Sequence, residues 1–184
     1  METGVDKAAL RKALAARRGA LDPLQKAAWD AAIGARVLAW WGAEMVDSSL
    51  SIGVYWPLRG EPDLSSAYAA LAAGGTRLAL PVVLARGAAL GFAAWTPGEA
   101  MVKDAMGVAV PASLRMVARP PALLIPCLGF NDELYRLGYG GGYYDRTLTA
   151  PPRPKTAGVA YACLRAAFAG EPHDVALDVV LTEA

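Results

Sequence analysis

LLIPCLGFNDELYRLGYGGGYYDRTL, residues Leu123 to Leu148, reads as an apolar strand, a glycine-dense loop and the start of a helix. Leu123 to Pro126 is short and wholly apolar, the pattern of a strand buried on both faces. Tyr143 to Leu148 opens a helix directly after the glycines. Between them, Gly138, Gly140, Gly141 and Gly142 lie between Arg136 and Asp145. Glycine loses the most backbone freedom on folding, so such a run marks φ values that other residues avoid, or a close approach. Successive backbone N–H groups form an anion-binding concavity. Arg136 adds a planar fork suited to phosphate oxygens, and Asp145 a hard oxygen ligand of the kind magnesium takes. The simplest reading is a cradle for a nucleotide phosphate chain. The bland alternative is a tight turn that only joins two elements. The loop is not a Walker A sequence, because no Gly-Lys-Ser/Thr follows. No strand is expected to run directly into it, so it is not a dinucleotide fingerprint either.

The flanking sequence supplies the rest of the fold. Asp6 to Arg18 is rich in helix formers. Asp22 caps a second helix, Pro23 suits its first turn, and it is expected to end near Trp41. Strands are read at Leu50 to Trp56, Leu78 to Leu84 (interrupted by Pro81), Leu90 to Trp95, Thr156 to Tyr161 and Val179 to Thr182. A helix is read at Leu64 to Ala73, stopped by Gly74 and Gly75, and a hairpin through Gly87. Helices alternating with short apolar strands predict a single α/β domain over residues 1–184. Its sheet is mostly parallel, with helices on both faces. Ligands collect beyond the carboxyl ends of the strands in such sheets, where the glycine loop falls.

Composition narrows the function. The chain has 184 residues, 55% of them hydrophobic, and a net charge of +1. Nothing in this balance points to nucleic-acid or membrane-surface partners. No apolar run approaches the ~20 residues of a membrane span. The N-terminus is basic and broken by charges, so no signal peptide is expected. Two distant cysteines, Cys127 and Cys163, predict free thiols in a reducing cytoplasm, with Cys127 a buried core residue.

Several side chains could carry chemistry. Lys7 and Arg11 share a helix face. With Lys12, Arg17 and Arg18 nearby, the local reading is a solvated basic face. Glu61 follows a strand end in YWPLRGEPD, where it either accepts hydrogen bonds from a ligand or is an exposed loop acid. Trp56 either walls a flat heteroaromatic ligand or is core. His173, the only histidine, is read as structural. Asp174 could join Asp145 at a metal, although sequence spacing cannot test this.

Taken together, the residues resemble the 5-formyltetrahydrofolate cyclo-ligase (methenyltetrahydrofolate synthetase) family. The likeness runs through Lys7-Ala-Ala-Leu-Arg11, Tyr55 to Asp63 with Glu61, Leu80-Pro81, Gly107 to Pro111, Ile125 to Leu148, and His173-Asp174 with Asp178. RLGYGGGYYDR is its most specific element. The resemblance implies a three-layer, cyclo-ligase/CoA-transferase-like fold. It implies ATP- and Mg2+-dependent closure of 5-formyltetrahydrofolate to 5,10-methenyltetrahydrofolate, with ADP and phosphate released. The setting it implies is a cytoplasmic protein, expected to be a monomer, with small-molecule ligands and neither nucleic acid nor membrane.

By position, Lys7, Arg11, Arg136 and the segment Gly138, Tyr139, Gly140, Gly141, Gly142, Tyr143 and Tyr144 would hold ATP, which reverses the local reading of the first helix. Asp145 and Asp174 would hold the metal. Trp56, Glu61, Met106 and Tyr139 to Tyr143 would contact the folate. Arg136, Tyr144 and Asp145 would carry catalysis. Some members carry a lysine at the position of Gly141, a basic residue at Tyr139, and a tryptophan at Met106. Two other readings are a non-catalytic folate- or nucleotide-binding carrier and a sugar-phosphate isomerase. Retention of both Asp145 and Asp174 argues against the carrier. The absence of an obvious enediol base argues against the isomerase.

Overall fold

A computed structural model describes residues 6–44 and 50–184, so the first five residues of the basic N-terminus lie outside it. Helices α1 (Lys7–Gly19) and α2 (Pro23–Glu44) come first. Asp6 caps α1 by accepting from Ala8 and Ala9 N–H, at 2.9 and 3.3 Å. Asp22 caps α2 in the same way, accepting from Leu24 and Gln25 N–H at 3.0 Å each. Strand β1 (Ser51–Gly53), helix α3 (Ser65–Ala73), β2 (Arg77–Val83) and β3 (Leu90–Trp95) follow. Then come β4 (Met101–Lys103), β5 (Ala109–Pro111), β6 (Met116–Val117), β7 (Ala122–Pro126), β8 (Gly129–Phe130) and β9 (Arg136–Leu137). Helix α4 (Tyr143–Thr149), β10 (Lys155–Val159), a 3-10 turn (Ala162–Leu164) and β11 (Val179–Leu181) complete the chain. Among the described residues no helix is long and apolar enough to cross a membrane.

The main sheet runs β11-β10-β7-β1-β2-β3-β6. Its β11–β10, β10–β7, β7–β1 and β1–β2 pairs are parallel, while β2–β3 and β3–β6 are antiparallel. The expected α/β class with a mostly parallel sheet is therefore observed. Side chains alternate between two cores. Ile52, Leu78, Leu80, Leu124 and Val159 pack with Ile33 and Val37 of α2 and Tyr68 and Leu71 of α3. Ala79, Phe92, Leu123 and Ile125 face the other way, towards Leu148 of α4 and Leu177.

Pro81 is tolerated inside β2 because of register. Ala79 accepts from Val54 N–H at 2.8 Å, so alternate residues of β2 face β1. Pro81 lies two residues on, beyond the end of β1 opposite Ala79, where no strand needs its missing N–H.

Where the elements differ from expectation, the cause is length or neighbours. The first strand stops at Gly53, and only the Val54 N–H bond to Ala79 O carries the pairing one residue further. The strand read as Thr156 to Tyr161 ends at Val159, and Tyr161 leads instead into the 3-10 turn. Strands β4, β5, β6, β8 and β9 have two or three residues each, too few for a period-2 pattern to register. One of them corrects the sequence reading directly: β9 pairs with β8 and runs straight into the glycine loop.

The topology fixes where a ligand can sit. From β1 the chain crosses by α3 to β2 on one side, and from β7 it crosses by α4 to β10 on the other. Strands β1 and β7 are neighbours, so the winding direction reverses between them. That reversal opens a crevice at their carboxyl ends. The loop after β1 carries Glu61, and the loop after β7 carries the glycines. Helix α1 closes the crevice by a close approach. A Cβ built on Gly129 would lie 2.5 Å from Leu14 Cδ1. Gly129→Val is therefore expected to overpack this contact and cost about 1–3 kcal/mol. Urea unfolding should show a lower midpoint at unchanged m, and an unchanged midpoint would contradict the close approach.

Candidate functional site

Helix α1 places Lys7, Arg11, Leu14 and Arg18 on one stripe, spaced four, three and four residues apart. Leu14 anchors the stripe in the core, and each cation then meets a different segment of the crevice. Arg11 Nε donates to Gly138 O at 2.9 Å. Its Cζ would lie 3.8 Å from a Cβ built on Gly140. Lys7 Nζ pairs with Glu171 at 2.8 Å and Asp174 at 3.2 Å. Neither residue belongs to a free basic face, so the local reading of α1 fails for both. It fails most clearly for Arg18, which the sequence reading passed over as one more surface cation. Arg18 is 2% exposed. The signal that could have found it is its place on the same stripe as Lys7 and Arg11.

The glycine segment uses its conformational freedom at two points, Gly140 (φ +92°) and Gly142 (φ +64°). Both precede α4, and Arg146 of that helix donates back to Gly141 O at 2.7 Å. The Arg136 side chain is 7% exposed and pairs with Asp145 at 2.7 Å, while its other terminal nitrogen donates to Val175 O at 3.1 Å. The Arg136 guanidinium carbon lies 5.9 Å from the centre of the Tyr144 ring. Desolvation, aided by the Glu61 charge, pushes the Tyr144 phenol well above its usual range, so it keeps its proton. Met106, in the turn between β4 and β5, reaches Tyr143 OH at 4.0 Å. This brings the predicted methionine to the rim of the loop.

The two candidate metal ligands stand on adjoining segments. Asp145 Oδ1 accepts from Val175 N–H at 3.1 Å, next in sequence to Asp174. Burial alone would raise the Asp174 carboxyl, but the Glu171 N–H and Lys7 outweigh it and hold it below the usual range. Among the described residues no group of three or more His, Cys, Asp or Glu side chains is gathered for a metal. Magnesium does not need one, since it takes one or two carboxylates and completes its shell with water and phosphate oxygens. The hard oxygens of Asp145 and Asp174 fit that requirement. His173 is exposed beside Glu171 and Asp174, at 3.5 and 3.7 Å. Burial pushes the Cys127 thiol up to about 12, which removes it as a nucleophile.

On the β1 side, Leu58 to Glu61 form a tight turn closed by Glu61 N–H to Leu58 O at 2.9 Å. Arg59 (φ +50°) and Gly60 (φ +77°) both occupy the left-handed region, which is unusual for an arginine. Glu61 is 4% exposed, so it is not the exposed loop acid that the sequence left open. Its Oε2 accepts from Leu58 N–H at 2.9 Å and its Oε1 from Tyr139 OH at 3.1 Å. Burial raises the Glu61 carboxyl above its ordinary value, opposed by the Leu58 N–H, Arg18 and Tyr139. Trp56 is 37% exposed and meets Trp95 edge-on at 6.0 Å. It lies in the same loop as Glu61, partly open as a ligand wall would be.

The family model for 5-formyltetrahydrofolate cyclo-ligases matches residues 3–183. The chain belongs to the 5-formyltetrahydrofolate cyclo-ligase family. It is 31% identical over 160 residues to the 5-formyltetrahydrofolate cyclo-ligase of Mycolicibacterium smegmatis, covering 80% of this chain and 81% of that one. It is 29% identical over 151 residues to the Escherichia coli K12 cyclo-ligase, covering 79% and 81%. Identity to the Mycoplasma pneumoniae cyclo-ligase reaches 47%, but over 62 residues, 33% of this chain and 37% of that protein's length. The fold is similar to the solved 5,10-methenyltetrahydrofolate synthetase of Mycoplasma pneumoniae, with a TM-score of 0.80 at 26% identity over 98% of this chain and 100% of that one. The Aquifex aeolicus 5,10-methenyltetrahydrofolate synthetase gives 0.73 at 25% identity, over 96% and 89%.

In this cyclo-ligase family member, the two loop positions without the anticipated cation each have a guanidinium alongside. Arg146 bonds the carbonyl of Gly141, and Arg18 Nη2 donates to the hydroxyl of Tyr139. The crevice therefore keeps its positive charge, supplied from helices. The buried Glu61 makes a testable thermodynamic claim. Its folded-state pKa is raised, so its contribution to stability is full below its ordinary value and is lost as pH rises through the raised value. Glu61→Gln is expected to gain stability relative to the parent as pH increases from about 4 to about 7. Thermal unfolding across that range checks it. A gap between the two proteins that does not change with pH would contradict the burial argument.

Proposed function

We propose that this protein converts 5-formyltetrahydrofolate to 5,10-methenyltetrahydrofolate, consuming ATP and releasing ADP and phosphate. The observation that carries the reading is that one loop serves both halves of the crevice. The segment Gly138 to Gly142 is flanked by Arg11, Arg136 and Arg146, and its Tyr139 reaches over to Glu61. A phosphate chain on the first side and a pterin on the second would lie within reach of each other, as transfer between them requires.

Lys7, Arg11 and Arg136, with the backbone from Gly138 to Tyr144, hold the triphosphate. Glu61 accepts from the N–H groups of the pterin, and Trp56, Met106 and Tyr143 wall it. The formyl oxygen attacks the γ-phosphorus. The P–O bond to ADP breaks as the new one forms, leaving an iminium phosphate. The neighbouring folate nitrogen then attacks the formyl carbon and gives up its proton, and the C–O bond to phosphate breaks. Asp145 and Asp174 would hold magnesium, which would supply neutralisation of the negative charge on the transferring phosphoryl group. Tyr144, kept protonated, and Arg136 supply fixed donors near the same charge. The apolar walls exclude water, which would hydrolyse the activated species. Both thiols are free, which supports a reducing cytoplasm as the setting. All the proposed residues come from one chain, so a monomer suffices.

The test follows the near-ultraviolet absorbance of methenyltetrahydrofolate in the presence of ATP, magnesium and 5-formyltetrahydrofolate. Conversion that stops on chelation of magnesium is expected. A folded protein that binds both ligands without conversion would instead be a carrier. Asp145→Asn is expected to lower turnover by about a hundredfold or more, and unchanged turnover would remove Asp145 from the metal site. Gly140→Val forces a β-branched residue to a φ of +92° and is expected to weaken ATP binding by about tenfold or more. Calorimetric titration with a nonhydrolysable ATP analogue checks it.

A further inference from the structure

Arg18 is a charged side chain of the crevice to which the proposed reaction gives no task, and its surroundings are unusual. Its Nε donates to Arg59 O at 3.1 Å, holding the left-handed turn that presents Glu61. Its Nη2 donates to Tyr139 OH. Its Nη1 is buried and has no hydrogen-bond partner. A buried guanidinium nitrogen left unpaired is costly, and such groups in native proteins call for an explanation.

Tyr139 supplies the second half. Its hydroxyl donates to Glu61 Oε1 at 3.1 Å while accepting from Arg18 Nη2. One oxygen thus satisfies an acceptor and a donor set side by side. The ring sits under two guanidinium groups, with Arg59 Cζ at 5.0 Å and Arg18 Cζ at 5.8 Å from its centre, yet it remains 45% exposed. Its neighbours Gly138 and Gly140 put little steric restraint on its backbone. Tyr139 is therefore a plug that can leave.

We propose that Arg18 and Glu61 form a paired reader for a lactam edge, a ring N–H beside a carbonyl oxygen, and that Tyr139 occupies this reader until the ligand displaces it. The carboxylate accepts from the ligand's N–H, and the guanidinium, including its unpaired Nη1, donates to the ligand's C=O. The pterin of the proposed substrate carries such an edge at its 4-oxo position, so the assignment rests on that reading and adds Arg18 and Tyr139 to it. A site built to bond an acceptor rejects an analogue that offers a donor there, because its own donor is then left unpaired. Release of a competing plug raises apparent affinity by the inverse of the open fraction.

Calorimetric titration would compare 5-formyltetrahydrofolate with its 4-amino analogue, on the parent protein, Arg18→Met and Tyr139→Phe. The parent is expected to prefer the 4-oxo ligand by about tenfold or more. Arg18→Met should lose most of that preference through weaker 4-oxo binding, with affinity for the ATP analogue moving less. Tyr139→Phe should bind the 4-oxo ligand more tightly by about threefold or more. A purely structural role for Arg18 and Tyr139 would weaken binding in both variants and leave the preference intact, and either result overturns the assignment. If Arg18→Met does not fold, the Tyr139→Phe measurement decides alone. A parent protein that turns over substrate normally but shows no 4-oxo preference overturns this assignment and leaves the proposed reaction standing. A parent that binds neither ligand overturns both.

Discussion

The contact between Leu14 and Gly129 sets the position of everything chemical in this protein. Helix α1 can press onto β8 only because Gly129 has no side chain to hold it off. Once Leu14 is seated, the helical period leaves no choice about the other members of its stripe. Lys7 reaches the segment around Asp174, Arg11 the glycine loop, and Arg18 the turn before Glu61. Three stretches of chain far apart in sequence are thus tied together by one helix face. The sheet beneath provides the crevice, but α1 turns it into a site.

The charge arrangement runs against stability and is informative for that reason. The chain carries a net charge of +1, yet Lys7, Arg11, Arg18, Arg59, Arg136 and Arg146 converge on a single crevice. Some are neutralised at short range, as in the Arg136–Asp145 pair. Others are not, and Arg18 is buried with a nitrogen unpaired. Glu61 is held in a place that favours its protonated form, on a turn whose Arg59 adopts a left-handed backbone. Buried unpaired donors and strained backbone persist only where surrounding packing enforces them, and they cluster where ligands bind. A sequence selected for stability alone would have removed them.

Much of this was legible in the sequence, and the part that was not has a common cause. Apolar runs and helix caps located every long element, because those signals are local. The glycine loop was legible for the same reason, since four glycines between Arg136 and Asp145 form a local anomaly. The two- and three-residue strands carry too little pattern to be seen. Lys7 and Arg11 looked like solvent-facing cations until the resemblance to a family placed them at phosphates. Arg18 was missed because its burial depends on Tyr139 and the turn at Arg59, which lie more than a hundred and about forty residues away. Glu61 remained ambiguous for the same reason, since burial of a loop acid is decided by what folds over it. Single-sequence reasoning therefore recovers elements and anomalies, while the pairing of buried charges is a property of tertiary contact.

The placement of the cations also suggests why the loop itself carries so few. A guanidinium mounted on the glycine segment would have to order both a long side chain and a flexible backbone when a ligand arrives, and each costs entropy. Arg11, Arg18 and Arg146 instead project from α1 and α4, whose backbones are already ordered by helix formation and packing. They meet the loop through its carbonyls and its one tyrosine hydroxyl. The glycines are then left to do what only they can, which is to take up the left-handed backbone at Gly140 and Gly142. Charge comes from rigid elements and conformational adaptability from the loop. This division suits the proposed reaction, which needs pre-oriented charge beside a segment able to adapt to two reactants.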